Sequence, residues 1–319
     1  MQLRDVKFRT VLGASGVQDF FGKGYWFHPY LTPFGLDFAG STFVAKTTTF
    51  SPRAGNMPLR DDFAPREFLP KCIYVKPWQG IALNAVGLSG PGALALFSTG
   101  RWQARKEPFF LSFMSVAATA GERLVELKKF VELFASCIQD FCAPVGLQIN
   151  YSCPNVGMHL DGLLNEVADG LAIAGRLNIP LMPKFNLLLP PEVARDIGNH
   201  PQCDALCVSN TIPYGQMPNR IDWKKLFGSV SPLVEFGGGG LSGKPLLPFL
   251  LLWLMRVRRA GFTKPINAGG GILSLADARS ALAFADSISL GSIAFLRPWR
   301  VRGIITALNR THTAQRRPR

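Results

Sequence analysis

Apolar positions in this chain gather into short runs that end abruptly in polar residues. The runs are separated by segments of helical or helix length. Eight are legible, at 10–15, 42–47, 109–114, 147–152, 181–186, 205–210, 265–270 and 288–293. Each has the length and apolar character of a buried strand. Strands alternating with helices imply a parallel sheet. Eight of them imply an α/β fold of the closed (β/α)8 TIM-barrel kind rather than an open sheet. The clearest helix covers 122–142, where Leu124, Leu127, Val131, Phe134, Ile138 and Phe141 recur at steps of three and four. Ser274 followed by Asp277 reads as a capping box opening a helix over 276–284. Two connections, 48–108 and 212–264, are longer than a plain barrel needs and read as loop insertions after strands 2 and 6. A single domain over 1–309 is expected, followed by a basic tail at 310–319.

The polar residues fall at the strand ends. In chain order these are Ser15, Lys46, Met114 and Ser115, Asn150 with Ser152 and Cys153, Lys184, Asn210 and Thr211, Gly269 to Gly271, and Gly291 with Ser292. Taken alone, the run from Asn150 to Asn155 is an Asn-capped turn with a buried thiol, since free cysteine is commonly just buried. Lysines and asparagines on four separate strand ends are costly as pure structure. A convergent pocket at the carboxyl face of a barrel is the better account. The glycines after the last two strands stand where barrels hold phosphate on backbone N–H groups. A further cluster, Gly237 to Gly240, precedes strand seven.

Charge and composition narrow the partners. The formal net charge is +14, part of it in the tail (Arg310, Arg316, Arg317, Arg319) and part in the clusters Arg101–Arg105–Lys106 and Arg256–Arg258–Arg259. No aromatics are interleaved in a regular basic patch, so nucleic acid is not the expected partner. An anionic cofactor and an anionic substrate suit the charge equally well. The longest apolar run, 245–255, contains Pro248 and is too short for a membrane span. No signal-type apolar segment opens the chain, so a cytoplasmic protein is expected. Six cysteines at irregular spacing are neither a disulfide framework nor a metal site, since Cys203 and Cys207 lack a second pair.

These motifs resemble the dihydroorotate dehydrogenase family of FMN-dependent barrels over nearly the whole chain. The turn Ala14-Ser15-Gly16 resembles the family's turn under the flavin. The block Lys46-Thr47-Thr48 with Pro52, Arg53, Gly55, Asn56, Pro58 and Arg60 resembles its Thr-Lys-Ser block and continuation. Asn84 with Gly87 and Leu88 resembles the loop that holds the substrate carboxylate. The run Asn150, Ser152, Cys153, Pro154, Asn155 is the family's Asn-x-Ser-Cys-Pro-Asn. Lys184, Ser209-Asn210-Thr211, Gly239-Gly240, Gly270-Gly271 and Gly291-Ser292 follow in the family's order.

The resemblance implies oxidation of dihydroorotate to orotate, a step of pyrimidine biosynthesis, with hydride passing from C6 to flavin N5 and the C5 proton to Cys153. FMN is implied on Ala14, Ser15, Gly16, Lys46, Thr47, Asn84, Asn150, Lys184, Ser209, Thr211, Gly239, Gly240, Gly270, Gly271, Gly291 and Ser292. Substrate is implied on Lys46, Asn84, Gly87, Leu88, Asn150, Asn155, Asn210 and Thr211. Cys153 as base marks the soluble class 1 kind, for which a homodimer is expected. The electron acceptor is left open among fumarate, a quinone and a partner subunit. The chain departs from the pattern at Ser89-Gly90, where the family carries Asn, and in the loops after Cys153 and Thr211. These departures leave room for another dihydropyrimidine or small anionic ring as substrate. A non-catalytic flavin-binding barrel is the remaining alternative.

Overall fold

The computed structural model describes residues 1–151 and 160–314. Thirteen strands follow one another in these residues: β1 Gln2–Leu3, β2 Val6–Lys7, β3 Val11–Gly13, β4 Ile73–Lys76, β5 Ile81–Asn84, β6 Phe109–Phe113, β7 Val145–Asn150, β8 Leu181–Phe185, β9 Leu206–Val208, β10 Ile212–Pro213, β11 Gly240–Gly243, β12 Ile266–Gly269 and β13 Ser287–Leu290. Seven form one parallel sheet in the order β3-β13-β12-β9-β8-β7-β6. The fold is therefore α/β and mostly parallel, consistent with a TIM-barrel-like architecture.

The run at 42–47 departs from expectation. It forms no continuous ladder, only isolated parallel bridges from Thr42 to Leu12, Val44 to Phe110 and Thr48 to Phe113. These touch both edge strands, β3 and β6, so the segment spans the gap between the sheet's two ends. The ladder breaks at Lys46, whose backbone N–H donates to Asp19 O instead of to a strand neighbour. The Ala45 carbonyl is likewise taken by the Ser15 hydroxyl, at 2.9 Å. The turn after β3 has captured the hydrogen bonds a strand would use.

The two long connections are not open loops. Between them they build a second, antiparallel sheet in the order β10-β11-β5-β4. Its register sets Asn84 opposite both Ile73 and Gly240.

The helix foreseen at 122–142 runs over Ala120–Cys137, followed by a 3-10 turn at Ile138–Asp140. It starts at a full capping box, with Glu122 N–H donating to Thr119 Oγ1 and the Glu122 carboxylate accepting from Thr119 N–H. Its buried residues are Leu127, Phe130, Val131 and Phe134, and Phe130 stacks on Phe113 of β6 with centroids 4.2 Å apart. Burying each such phenyl group contributes about 2–3 kcal/mol. At the second helix, Leu275–Leu282, only half of the expected box forms. Ser274 caps Asp277 N–H, while the Asp277 carboxylate accepts from Leu273 N–H. At one end of the sheet, Phe8 stacks on Phe110 at 4.3 Å and joins Leu3, Leu12, Val44 and Met182 in a floor cluster. That plug leaves the opposite end, where the strands terminate, as the open face.

Candidate active site

Side chains two residues apart on a strand point the same way, so Asn150 has Gln148 and Ser209 has Cys207 one layer deeper. With Ser15, Thr47, Ser112, Asn267 and Ser289 these form a hydrogen-bonded belt across the inner face of the sheet. Ser15 Oγ lies 2.8 Å from Thr47 Oγ1, which lies 2.9 Å from Ser112 Oγ. Ser112 donates to Gln148 Oε1 at 3.5 Å, and Gln148 Nε2 donates to Cys207 Sγ at 3.4 Å. Cys207 donates to Asn267 Oδ1 at 3.3 Å, which also accepts from Ser289 at 2.7 Å. The polar floor is thus satisfied from within, as buried groups must be, and fixes the layer above it.

That layer opens onto a cavity of about 360 Å³. Of the residues expected at the site, Ala14, Ser15, Gly16, Lys46, Thr47, Asn84, Gly87, Leu88, Asn150, Lys184, Ser209, Asn210, Thr211, Gly291 and Ser292 line it. Gly239, Gly240, Gly270 and Gly271, also expected at the site, are not among the residues that line it. A side chain at Gly240 would overlap Thr211 Oγ1, and one at Gly271 would meet Leu247 N at 2.6 Å and Gly243 O at 2.9 Å. These glycines let backbones approach closely. Gly271, at φ 78°, lets the helix Leu247–Arg259 begin against the strand end. Cys153 and Asn155 lie outside the described residues.

The polar groups converge from separate elements. Asn210 Nδ2 donates to Asn150 Oδ1 at 2.8 Å, joining the ends of β7 and β9. Register places Lys184 between Asn150 and Cys207. Lys46 donates to the Ser89 carbonyl and lies 4.6 Å above the Phe20 ring. The loop carrying Gly87 and Leu88 is laced down by Arg53 Nε to Gly87 O at 2.9 Å and Asn56 Nδ2 to Ala85 O at 2.7 Å. Ser89 is fully buried, its hydroxyl donating to Val86 O and accepting from Met57 N–H.

Lys46 and Lys184 are 7% and 5% exposed. Among the described residues no carboxylate forms a salt bridge with either. Burial pulls the Lys46 ammonium down to about 7 and lowers Lys184 as well. Two buried lysines with no salt-bridge partner among the described residues, beside amides and hydroxyls, suit an anionic ligand with a planar hydrogen-bonding edge.

The sequence reading missed the apolar wall: Val17, Tyr25, Ile73, Ala82, Leu83 and Phe295 also line the cavity. Tyr25 and Phe295 meet edge to face at 5.0 Å. No periodicity marks Tyr25, which sits in a turn, and Phe295 belongs to a four-residue helix, Ile293–Leu296. The basic cluster at 101–106 also has an unforeseen role. The guanidinium of Arg101 lies 3.7 Å from the centroid of Phe21, and that of Arg105 lies 3.9 Å from that of Phe43.

A chain from Listeria welshimeri, the catalytic subunit of dihydroorotate dehydrogenase B (NAD(+)), is 30% identical over 311 residues, spanning 93% of this chain and 88% of its own. This chain belongs to the dihydroorotate dehydrogenase family. A catalytic subunit of the same B type from Desulforamulus reducens is 28% identical over 309 residues, covering 94% of this chain and 88% of that relative. A putative dihydroorotate dehydrogenase A (fumarate) from Pediococcus pentosaceus is 26% identical over 291 residues, covering 85% and 83%. No family model matches the chain. The dihydroorotate dehydrogenases are oxidoreductases acting on CH–CH donors. No helix among the described residues is long and apolar enough to cross a membrane, and no cluster of His, Cys, Asp or Glu among them could hold a metal ion.

Proposed function

We propose that this chain oxidises dihydroorotate to orotate with FMN held in the cavity, on a barrel in which 42–48 serves as the eighth stave. The observation that carries the proposal is the convergence of Lys46, Asn84, Asn150, Lys184, Asn210 and Thr211 on one cavity. The two lysines in it form no salt bridge among the described residues. A bound flavin supplies the hydride acceptor. Lys184 supplies fixed positive charge where negative charge gathers on reduction, a preorganised electrostatic contribution that costs no rearrangement during the reaction.

The Asn150–Asn210 hydrogen bond at 2.8 Å orients the Asn150 amide at the cavity, where it can meet the edge of a planar ring. Lys46 is held by the Ser89 carbonyl at the cavity wall, where it can bind an anionic substrate group. Cys153, by resemblance, takes the C5 proton. A free thiol titrates near 8.5, so turnover is expected to rise with pH through that range.

A second reading is favoured by the loop at 89–90. Ser89 is engaged within the protein, and Gly90 pairs its backbone with Arg53. Neither lines the cavity, so an amide of the family is absent from the substrate side. That favours a related dihydropyrimidine or another small anionic ring on the same flavin.

An anaerobic visible spectrum of the purified protein, before and after adding dihydroorotate, tests both readings. Bleaching of a flavin band supports the first. A flavin band unchanged by dihydroorotate but bleached by another dihydropyrimidine supports the second. Absence of flavin after incubation with FMN refutes both.

A further inference from the structure

Large apolar side chains are exposed along one edge of the molecule. Trp78 is 92% exposed, Leu69 74%, Phe34 73% and Tyr30 72%. Several of them are linked through neighbouring rings and backbone. Trp26 stacks on Phe68 with centroids 3.4 Å apart and donates its indole N–H to the Phe68 carbonyl. Tyr30 lies 6.2 Å from Trp26, and Phe34 follows one turn later. The backbone of Gly35 packs on the carbonyl of Trp299. Arg297 then bridges Trp299, 5.8 Å from its ring, to the carbonyls of Pro77 and Trp78. On its inner side the rim reaches the cavity, because Trp26 packs on Phe27, Phe27 on Phe295, and Phe295 lines the site. Soluble monomers rarely leave so large an apolar patch uncovered.

The charges around this rim are mainly basic. Lys23, Arg66, Lys71 and Arg300 are exposed. None of them, nor Arg297, forms a salt bridge among the described residues. The nearby Asp37 is neutralised by Arg302 at 3.2 Å, and Glu67 is turned onto the backbone N–H of Lys71. Indole and phenol rings flanked by Lys and Arg with no salt bridge among the described residues are the composition that settles at a lipid headgroup layer. A second copy presenting the same exposed Lys23, Arg66, Lys71 and Arg300 would be repelled at this face, whereas an anionic bilayer would be attracted.

We propose that the chain docks peripherally on anionic membrane surfaces through this aromatic rim. The test is flotation of the full-length protein with vesicles of equal parts phosphatidylcholine and phosphatidylglycerol, and with phosphatidylcholine alone. Partition to the anionic vesicles is expected, weakened at high salt. It should fall about tenfold in the triple variant Phe34→Ser, Trp78→Ser, Trp299→Ser. A charge variant, Arg66→Glu with Lys71→Glu, should lose the anionic preference while leaving the aromatics in place. Melting temperature and cavity ligand content should be unchanged in both. No partition by the wild-type chain overturns the proposal. Full partition by both variants also overturns it, because the contact then lies elsewhere, for example on the basic tail. A dimer that the triple variant abolishes overturns it too, by assigning the face to a second copy.

Discussion

Replacing Lys184 by Met should change stability and cofactor binding in opposite directions. Lys184 is 5% exposed on β8, has no salt-bridge partner among the described residues, and has its proton affinity lowered by burial. Holding an uncompensated ammonium away from water costs several kcal/mol, and replacing it with an apolar chain of similar length recovers about 1–3 kcal/mol. In a chain of this size that corresponds to a melting temperature higher by roughly 2–6 °C in the flavin-free protein. If the ammonium hydrogen-bonds the anionic edge of the flavin, the same change removes about 1.5–3 kcal/mol of charge-assisted bonding. The FMN dissociation constant should then rise by about ten- to a hundredfold. Scanning fluorimetry of deflavinated protein reads the first effect, and titration of FMN fluorescence quenching reads the second. A variant that is less stable without flavin, yet binds FMN as the wild type does, would refute the reasoning and make Lys184 a structural residue.

Lys46 yields a pH signature of unusual sign. Its folded value of about 7 lies below the unfolded value near 10.4, so the unfolded chain binds the extra proton between them. Its contribution to the stability of the ligand-free protein should therefore rise as pH increases from about 7 to about 10, and Lys46→Met should remove that slope in denaturant titrations at several pH values. Binding an anion beside Lys46 should take up a proton near pH 8, visible as a buffer-dependent heat in calorimetry. Gly240→Ala would drive a methyl group into Thr211 Oγ1 and should weaken cavity ligands about tenfold, measured by equilibrium binding. Cys153→Ala should keep the flavin colour while turnover falls at least about a hundredfold, and unimpaired turnover would dismiss it as the base. Asn150→Ala and Asn210→Ala should be non-additive in substrate affinity by about 0.5–1.5 kcal/mol, because the 2.8 Å bond between them is lost in either single variant.

Local rules carried much of the reading, and where they failed the cause was a contact distant in sequence. Seven of the strands and the polar residues at their ends follow from alternation and run length, which neighbouring residues set. The segment at 42–47 has the right composition for an eighth strand, but the turn holding Ser15 and Asp19 takes hydrogen bonds from Ala45 and Lys46. The long connections look like loops in sequence because each contributes only short strands. β4 pairs with β5 and β10 with β11 inside one connection each, and only the pairing of β5 with β11 joins the two into one sheet. Thr119 was passed over as a cap because its capping box with Glu122 is visible only once the helix start is placed.

Sequence by itself determined which chemistry stands at each strand end, since a side chain's direction along a strand repeats every two residues. It also determined the family, because the motifs keep their order along the chain. Tertiary structure alone decided which of these groups meet. Lys46 reaches the Ser89 carbonyl across 43 positions and Asn210 reaches Asn150 across 60. It also decided that two lysines are buried with no salt-bridge partner among the described residues and that an aromatic rim stays exposed. Burial and charge pairing depend on everything packed around a residue, and no local pattern encodes them.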